Sequence, residues 1–156
     1  MSKTIVALAL GAILTAAAPA RAGWYVQGIP GASCATDART TATWEYRGRR
    51  LLNSSSDPWA IAVATCPVSL FAPGVEAREY RILLNDPERR DAWCKAYTSS
   101  GALLRTQWGE GGGSYSIGGT FDYSPAAQSG LVEVTFHCLL QSGASIDRIE
   151  IVWFKP

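Results

Sequence analysis

Between Leu131 and Leu140 the chain reads L-V-E-V-T-F-H-C-L-L, and its alternate positions differ in kind. In an extended strand Val132, Val134, Phe136, Cys138 and Leu140 share one face, while Glu133, Thr135 and His137 share the other with Leu131 and Leu139. A strand with one wholly apolar face has to bury it against a second layer of structure. Comparable short runs recur at Thr43–Gly48, Ile61–Cys66, Arg78–Leu84, Ala92–Ser99, Leu103–Trp108, Tyr115–Phe121 and Ile146–Phe154, divided by Gly, Pro, Asn, Asp and Ser. From residue 23 onward no segment of about twelve residues keeps a helical period. Many short strands punctuated in this way predict an all-β, antiparallel β-sandwich, jelly-roll-like, with two packed sheets.

The same alternation answers a question of chemistry. His137, the single histidine of the chain, stands beside Cys138. Successive side chains of a strand point to opposite faces, so these two do not form a Cys-His dyad with each other. Glu133 shares a face with His137, but four strand positions separate them by about 13 Å, too far for one metal ion. One histidine leaves both triad and multi-histidine zinc chemistry without partners.

The start of the chain, M-S-K-T-I-V-A-L-A-L-G-A-I-L-T-A-A-A-P-A-R-A, has a basic residue, an apolar run from Ile5 to Ala18, and small residues Ala20 and Ala22. This is the layout of a secretory signal peptide cleaved after Ala22, leaving a single domain over residues 23–156. The run is short for a membrane span, and no span is expected after cleavage. Export places the four cysteines in an oxidising compartment, secreted or periplasmic. Cys34, Cys66, Cys94 and Cys138 form no C-x-x-C knuckle, so disulfides are expected rather than zinc. Three pairings are possible. Cys94 and Cys138 lie inside predicted strands and Cys34 and Cys66 near strand ends, which favours Cys34 with Cys66 and Cys94 with Cys138.

Removing Lys3 and Arg21 leaves 12 basic side chains against 13 acidic, so the formal charge moves from +1 to −1. A chain this close to neutral, with its signs interspersed, carries no electrostatic footprint for nucleic acid or an anionic membrane. The Arg47, Arg49, Arg50 cluster is the local exception and reads as a solvated strand end. Asn85-Asp86-Pro87-Glu88-Arg89-Arg90-Asp91 reads as a hairpin loop. Its Asn85, Asp86 and Asp91 lack the order of a dedicated calcium loop, and no metal or other cofactor is expected. The glycine-rich stretch from Gly109 to Ser114 precedes another strand, not a helix, which argues for a long hairpin loop over a phosphate cradle.

Two functional readings remain. A hydrolase acting on extracellular polysaccharide needs two carboxylates across a cleft, with Glu110 and Asp122 as candidates. The reading favoured here is a non-enzymatic protein that binds a surface polymer, a glycan or a protein partner through exposed rings; a structural envelope component is a further alternative. Six tryptophans are many for one small core. Trp24, Tyr25, Trp59, Trp108 and Tyr115 lie near termini or loops and are the candidate platform, whereas Trp44, Trp93 and Trp153 sit at core-like strand positions.

Four segments carry a resemblance: A-S-C at Ala32–Cys34, C-P-V at Cys66–Val68, N-D-P-E-R-R-D-A-W-C at Asn85–Cys94, and H-C-L-L-Q-S-G-A-S-I at His137–Ile146. Together they resemble a group of short secreted bacterial four-cysteine β-sandwich proteins of uncharacterised function. The resemblance implies a sandwich fold and export. It brings no catalytic residues with it.

Overall fold

A computed structural model describes residues 22–37, 42–87, 92–109, 113–121 and 129–156 of the chain, the side chains of 107–109 excepted. The described residues hold eleven strands: β1 (Gly23–Pro30), β2 (Ala35–Thr36), β3 (Trp44–Arg47), β4 (Arg50–Asn53), β5 (Ile61–Phe71), β6 (Glu76–Asp86), β7 (Ala92–Thr98), β8 (Leu103–Gly109), β9 (Gly113–Thr120), β10 (Leu131–Gln141) and β11 (Ser145–Lys155). A 3-10 turn, Gly31–Ser33, follows β1. Among the described residues no helix is long and apolar enough to cross a membrane.

The strands form two antiparallel sheets. Sheet A has the order β3-β4-β11-β6-β9, with β1 also paired to β11; sheet B has the order β2-β5-β10-β7-β8. From β4 onward the chain passes repeatedly from one sheet to the other, which gives the jelly-roll-like sandwich its connectivity. The alternation in β10 sets the register as expected: Val132, Val134, Phe136, Cys138 and Leu140 are all buried, and His137 faces outward between Thr65 and Lys95. From sheet A, β6 supplies Tyr80, Ile82 and Leu84 to the core, and β11 supplies Ile149, Ile151 and a fully buried Trp153. The Tyr80 ring lies 5.0 Å from Phe136 across the sheets and 5.3 Å from Phe121. Close packing of this kind leaves no room for a side chain at Gly119, where a Cβ would sit 2.7 Å from the Tyr80 hydroxyl.

Both disulfides fall in sheet B and have the favoured pairing. Cys94 and Cys138 are directly opposite in β7 and β10, with Cα atoms 4.0 Å apart. Cys34, one residue ahead of β2, reaches Cys66 on β5 with a Cα spacing of 4.1 Å. Each bridge therefore staples neighbouring strands rather than opposing sheets. Pro67 falls where β5 has passed its short pairing with β2, so its missing N–H removes no bond to that strand.

Several expectations change. β1 and β4 are strands that hydrophobic periodicity does not mark, and β5 continues five residues beyond Cys66, to Phe71. Asn85 and Asp86 end strand β6 instead of opening a loop; Asn85 pairs with Ser145 and Ser114, and Asp86 turns to the buried side. Their side chains thus face opposite ways and do not converge on one cation. Asp91 lies outside the described residues. Trp93 is not in the core: Ala92, Cys94 and Ala96 take the inner face of β7, and Trp93 stands half-buried outside, with the Lys95 ammonium 5.0 Å from its ring centre.

Candidate functional site

β1 pairs residue by residue with β11, Trp24 opposite Phe154, Val26 opposite Val152, and Gly28 opposite Glu150. Since Ile149, Ile151 and Trp153 of β11 point into the core, Glu150, Val152 and Phe154 point out, and so do their partners on β1. The result is a strip on the outer face of sheet A that begins with two rings. Trp24 is 63% exposed, and its ring centre lies 4.9 Å from that of Phe154 in a tilted pair. The guanidinium carbon of Arg78 stands 5.8 Å over the Phe154 ring.

These groups line a hollow of about 290 Å³ together with Glu79 and Thr120. Arg78 and Glu79 come from the point where the β6–β11 register shifts, so two consecutive residues of β6 meet the hollow. Arg78 is ion-paired with Glu76, and Arg81 binds Glu79 at 3.0 Å. The carboxylate lining the hollow is thus already engaged, and among the described residues no second carboxylate lines it. Glu110 and Asp122, the candidate hydrolytic pair, lie outside the described residues. An open surface that offers two rings, a guanidinium and a hydroxyl suits a flat polyhydroxylated ligand: apolar C–H faces pack on the rings and hydroxyls find donors and acceptors.

The other candidate aromatics do not join this surface. Tyr25 points to the opposite side of β1, where its ring stacks on Trp153 with centres 6.2 Å apart. Trp59 is 81% exposed in the turn before β5, its backbone N–H bonded to the Asp57 carboxylate at 2.9 Å. That turn meets the hairpin joining β10 to β11 through bonds from Asn53 and Ser142. Nine positions of β11, about 30 Å, separate Ser145, beside this hairpin, from Phe154, so Trp59 and Trp24 belong to opposite ends of that strand. Tyr115 lies on the inner face opposite Leu84 and packs against the core, which takes it out of any exposed platform. Trp108 pairs with Trp93 through the backbone, and its side chain lies outside the described residues.

Phe154 and Arg78 complete this surface without being among the aromatics expected near termini or loops. The signal for Phe154 is the alternation I-E-I-V-W-F over Ile149–Phe154, in which Phe154 shares a face with Glu150. Arg78 has no such signal, because its position depends on a register shift.

On sheet B the outer face holds His137 with its ring 5.1 Å from Tyr97 in an edge-on contact. Cys138 lies on the inner face in its disulfide, so no thiolate is available there.

No protein-family model matches the sequence, and no curated protein matches it either. Among solved structures the chain is similar to the C-terminal CBM6 of LamC, a marine laminarinase from Zobellia galactanivorans. That match has a TM-score of 0.50 at 10% identity and covers 81% of this chain and 98% of that one. It is also similar to CBM86 of Roseburia intestinalis, described as a low-affinity xylan-binding module, with a TM-score of 0.48, 13% identity, and 81% and 94% of the two chains covered. A carbohydrate-binding module from Cellvibrio mixtus lichenase 5A, solved with cellotriose, gives 0.47 and 9%, with 81% and 95% covered. At such identities the likeness is one of fold, a β-sandwich of the architecture found in carbohydrate-binding modules.

Proposed function

We propose that this chain is an exported, non-enzymatic β-sandwich that binds a glycan on the outer face of sheet A. The observation that carries the reading is the exposed Trp24, paired with Phe154 beside Arg78 and Thr120 in one shallow hollow. A soluble protein keeps an indole on a sheet face at a cost in apolar exposure, and a ligand that stacks on it supplies the reason. Similarity of fold to a carbohydrate-binding module supports the choice of ligand class. The two disulfides fit an oxidising compartment, extracellular or periplasmic.

Trp24 and Phe154 are the stacking platform, and Arg78, Glu79 and Thr120 are the polar groups that orient the sugar. Trp59 is a separate exposed ring at the far end of the sandwich. Affinity electrophoresis through gels containing soluble β-glucan, xylan or polyuronate tests the reading. At least one polymer is expected to retard the protein, Trp24→Ala to abolish most of that retardation, and Trp59→Ala to leave it unchanged. Free migration through every polymer, or retardation indifferent to Trp24→Ala, refutes it.

A further inference from the structure

The strip that begins at Trp24 ends in a second hollow of about 300 Å³, lined by Gly28, Ile29, Pro30, Arg49, Asp147 and Arg148. Its origin is topological. β11 pairs with β4 through Ser145 and Ile146, then with β1 from Arg148 onward, and the residue between, Asp147, is skipped in the ladder to β6. The change of partner leaves a gap between the end of β1 and the start of β4, and the hairpin between β3 and β4 places Arg49 at its rim.

The charges around this gap do not cancel. Arg50 bonds Asp147 at 3.2 Å, Arg148 bonds Glu150 at 2.6 Å, and Arg47 is committed to Glu45 at 2.7 Å. Arg49 makes no ion pair among the described residues. Its backbone is fixed by the Ala32 N–H, which donates to the Arg49 carbonyl at 3.0 Å. A guanidinium has five N–H donors, so Arg148 keeps several free while one binds Glu150. Among the described residues the hollow thus presents one cation beyond the carboxylates around it, on a backbone held in place.

Geometry connects the two hollows. Trp24, Val26, Gly28 and Pro30 are successive outward positions of β1, and Trp24 to Gly28 spans about 13 Å. At Gly28 no side chain stands in the path. A Cβ there meets one atom, Arg148 Cδ at 3.9 Å, so the gap is real space and not a packing requirement.

We propose that this second hollow receives the acidic group of the glycan, a carboxylate or a sulfate ester, on Arg49 and Arg148. The inference rests on the glycan-binding reading and deepens it: the ligand is an acidic polysaccharide lying along β1, one ring on Trp24 and an oxyanion at the arginines. Guanidinium groups pair with such oxyanions through parallel N–H bonds, stronger than bonds to a neutral hydroxyl.

The test is affinity electrophoresis at physiological salt in polygalacturonate, its methyl ester, dextran sulfate, dextran and polyglutamate. Polygalacturonate or dextran sulfate is expected to retard the protein well beyond its neutral counterpart and beyond polyglutamate; which of the two does so identifies the carboxylate or the sulfate. Arg49→Gln is expected to weaken that retardation by about ten-fold, the loss of one charge-assisted contact. Gly28→Val, whose Cβ would meet only Arg148 Cδ at 3.9 Å and which narrows the hollow, is expected to weaken it as well, with both variants melting like the parent. Equal retardation by an acidic polymer and its neutral form, equal retardation by polyglutamate, or indifference to Arg49→Gln overturns the acidic site. The glycan-binding reading fails on a different result, the absence of any glycan retardation sensitive to Trp24→Ala.

Discussion

Asn53 is fully buried, and its side chain makes all the hydrogen bonds an amide can make with its four usual sites. Its Nδ2 donates to the carbonyls of Ala60 and Leu140, each at 3.1 Å, and its Oδ1 accepts from the Ser55 N–H at 3.2 Å and the Ser55 hydroxyl at 2.7 Å. Its backbone joins the β10–β11 hairpin through Ala144 and Gly143. One amide thus ties β4, the turn before β5 and that hairpin together. Asn53→Asp changes a single atom type and sets an oxygen against two carbonyl oxygens at a fully buried position. The new carboxyl is therefore driven to stay protonated, with a folded-state pKa above its unfolded value of about 3.9. The sign follows from linkage: the penalty is smallest below about pH 3.9 and grows by about 1.4 kcal/mol per pH unit above it, until the folded pKa is passed. A rise of about three units costs about 4 kcal/mol at neutral pH, a large share of an ordinary domain's stability. Urea melts of parent and variant at pH 4, 5.5 and 7 check this, the difference in unfolding free energy being expected to widen with pH. A difference that stays constant across that range refutes the assigned donors, because it means the new oxygen meets no acceptor.

Three other outcomes are expected. Gly31→Ala sets a Cβ 2.0 Å from the Ile146 carbonyl oxygen, a backbone atom that no rotamer relieves, and should cost about 2–4 kcal/mol in a denaturant melt. The Tyr80 phenol has its pKa raised by burial, partly offset by the positive charge of Arg105. Its contribution to stability is complete below the unfolded value of about 10 and is lost as pH rises through the raised folded value, so Tyr80→Phe should lessen the alkaline loss of stability followed by circular dichroism. Removing the Cys94–Cys138 bridge by a double serine substitution opens a loop of 44 residues, a loss of about 4 kcal/mol in the chain-entropy model, and should lower the denaturant midpoint without changing the sheet spectrum.

The fold was legible where burial imposes a period. In β10 Val132, Val134, Phe136, Cys138 and Leu140 face the core, and the alternation alone separates Cys138 from His137; the cysteine pairing was legible from which cysteines lie inside strands and which near strand ends. Trp153 was legible for the same reason. Trp93 misled because a tryptophan in a strand looks like core, whereas the neighbouring Ala92, Cys94 and Ala96 set the inward face by their small volumes and their disulfide. The polar end of β6 misled because Asn85 and Asp86 are turn formers by propensity, yet the sheet carries them to its last pair, opposite Ser114 and Gly113.

The candidate site was legible only at Trp24, and the reason lies in how an edge strand is built. β1 pairs with β11 on one side, and its residues Trp24 to Gly28 are exposed on both faces, so no apolar period marks G-W-Y-V-Q-G-I-P as a strand. A strand exposed on both faces lacks the alternation by which strands are recognised in sequence. The two hollows share that origin, since Trp24 lines one and Gly28 and Pro30 line the other. Both disulfides lie in sheet B, away from this edge. Sheet A is held instead by core packing around Ile149, Ile151 and Trp153, and the same strand β11 that buries those residues presents Phe154 and Arg148 on its other face. The strand that fixes the core thereby also fixes the spacing between the aromatic end and the arginine end of the strip, which is the dimension the proposed glycan would have to match.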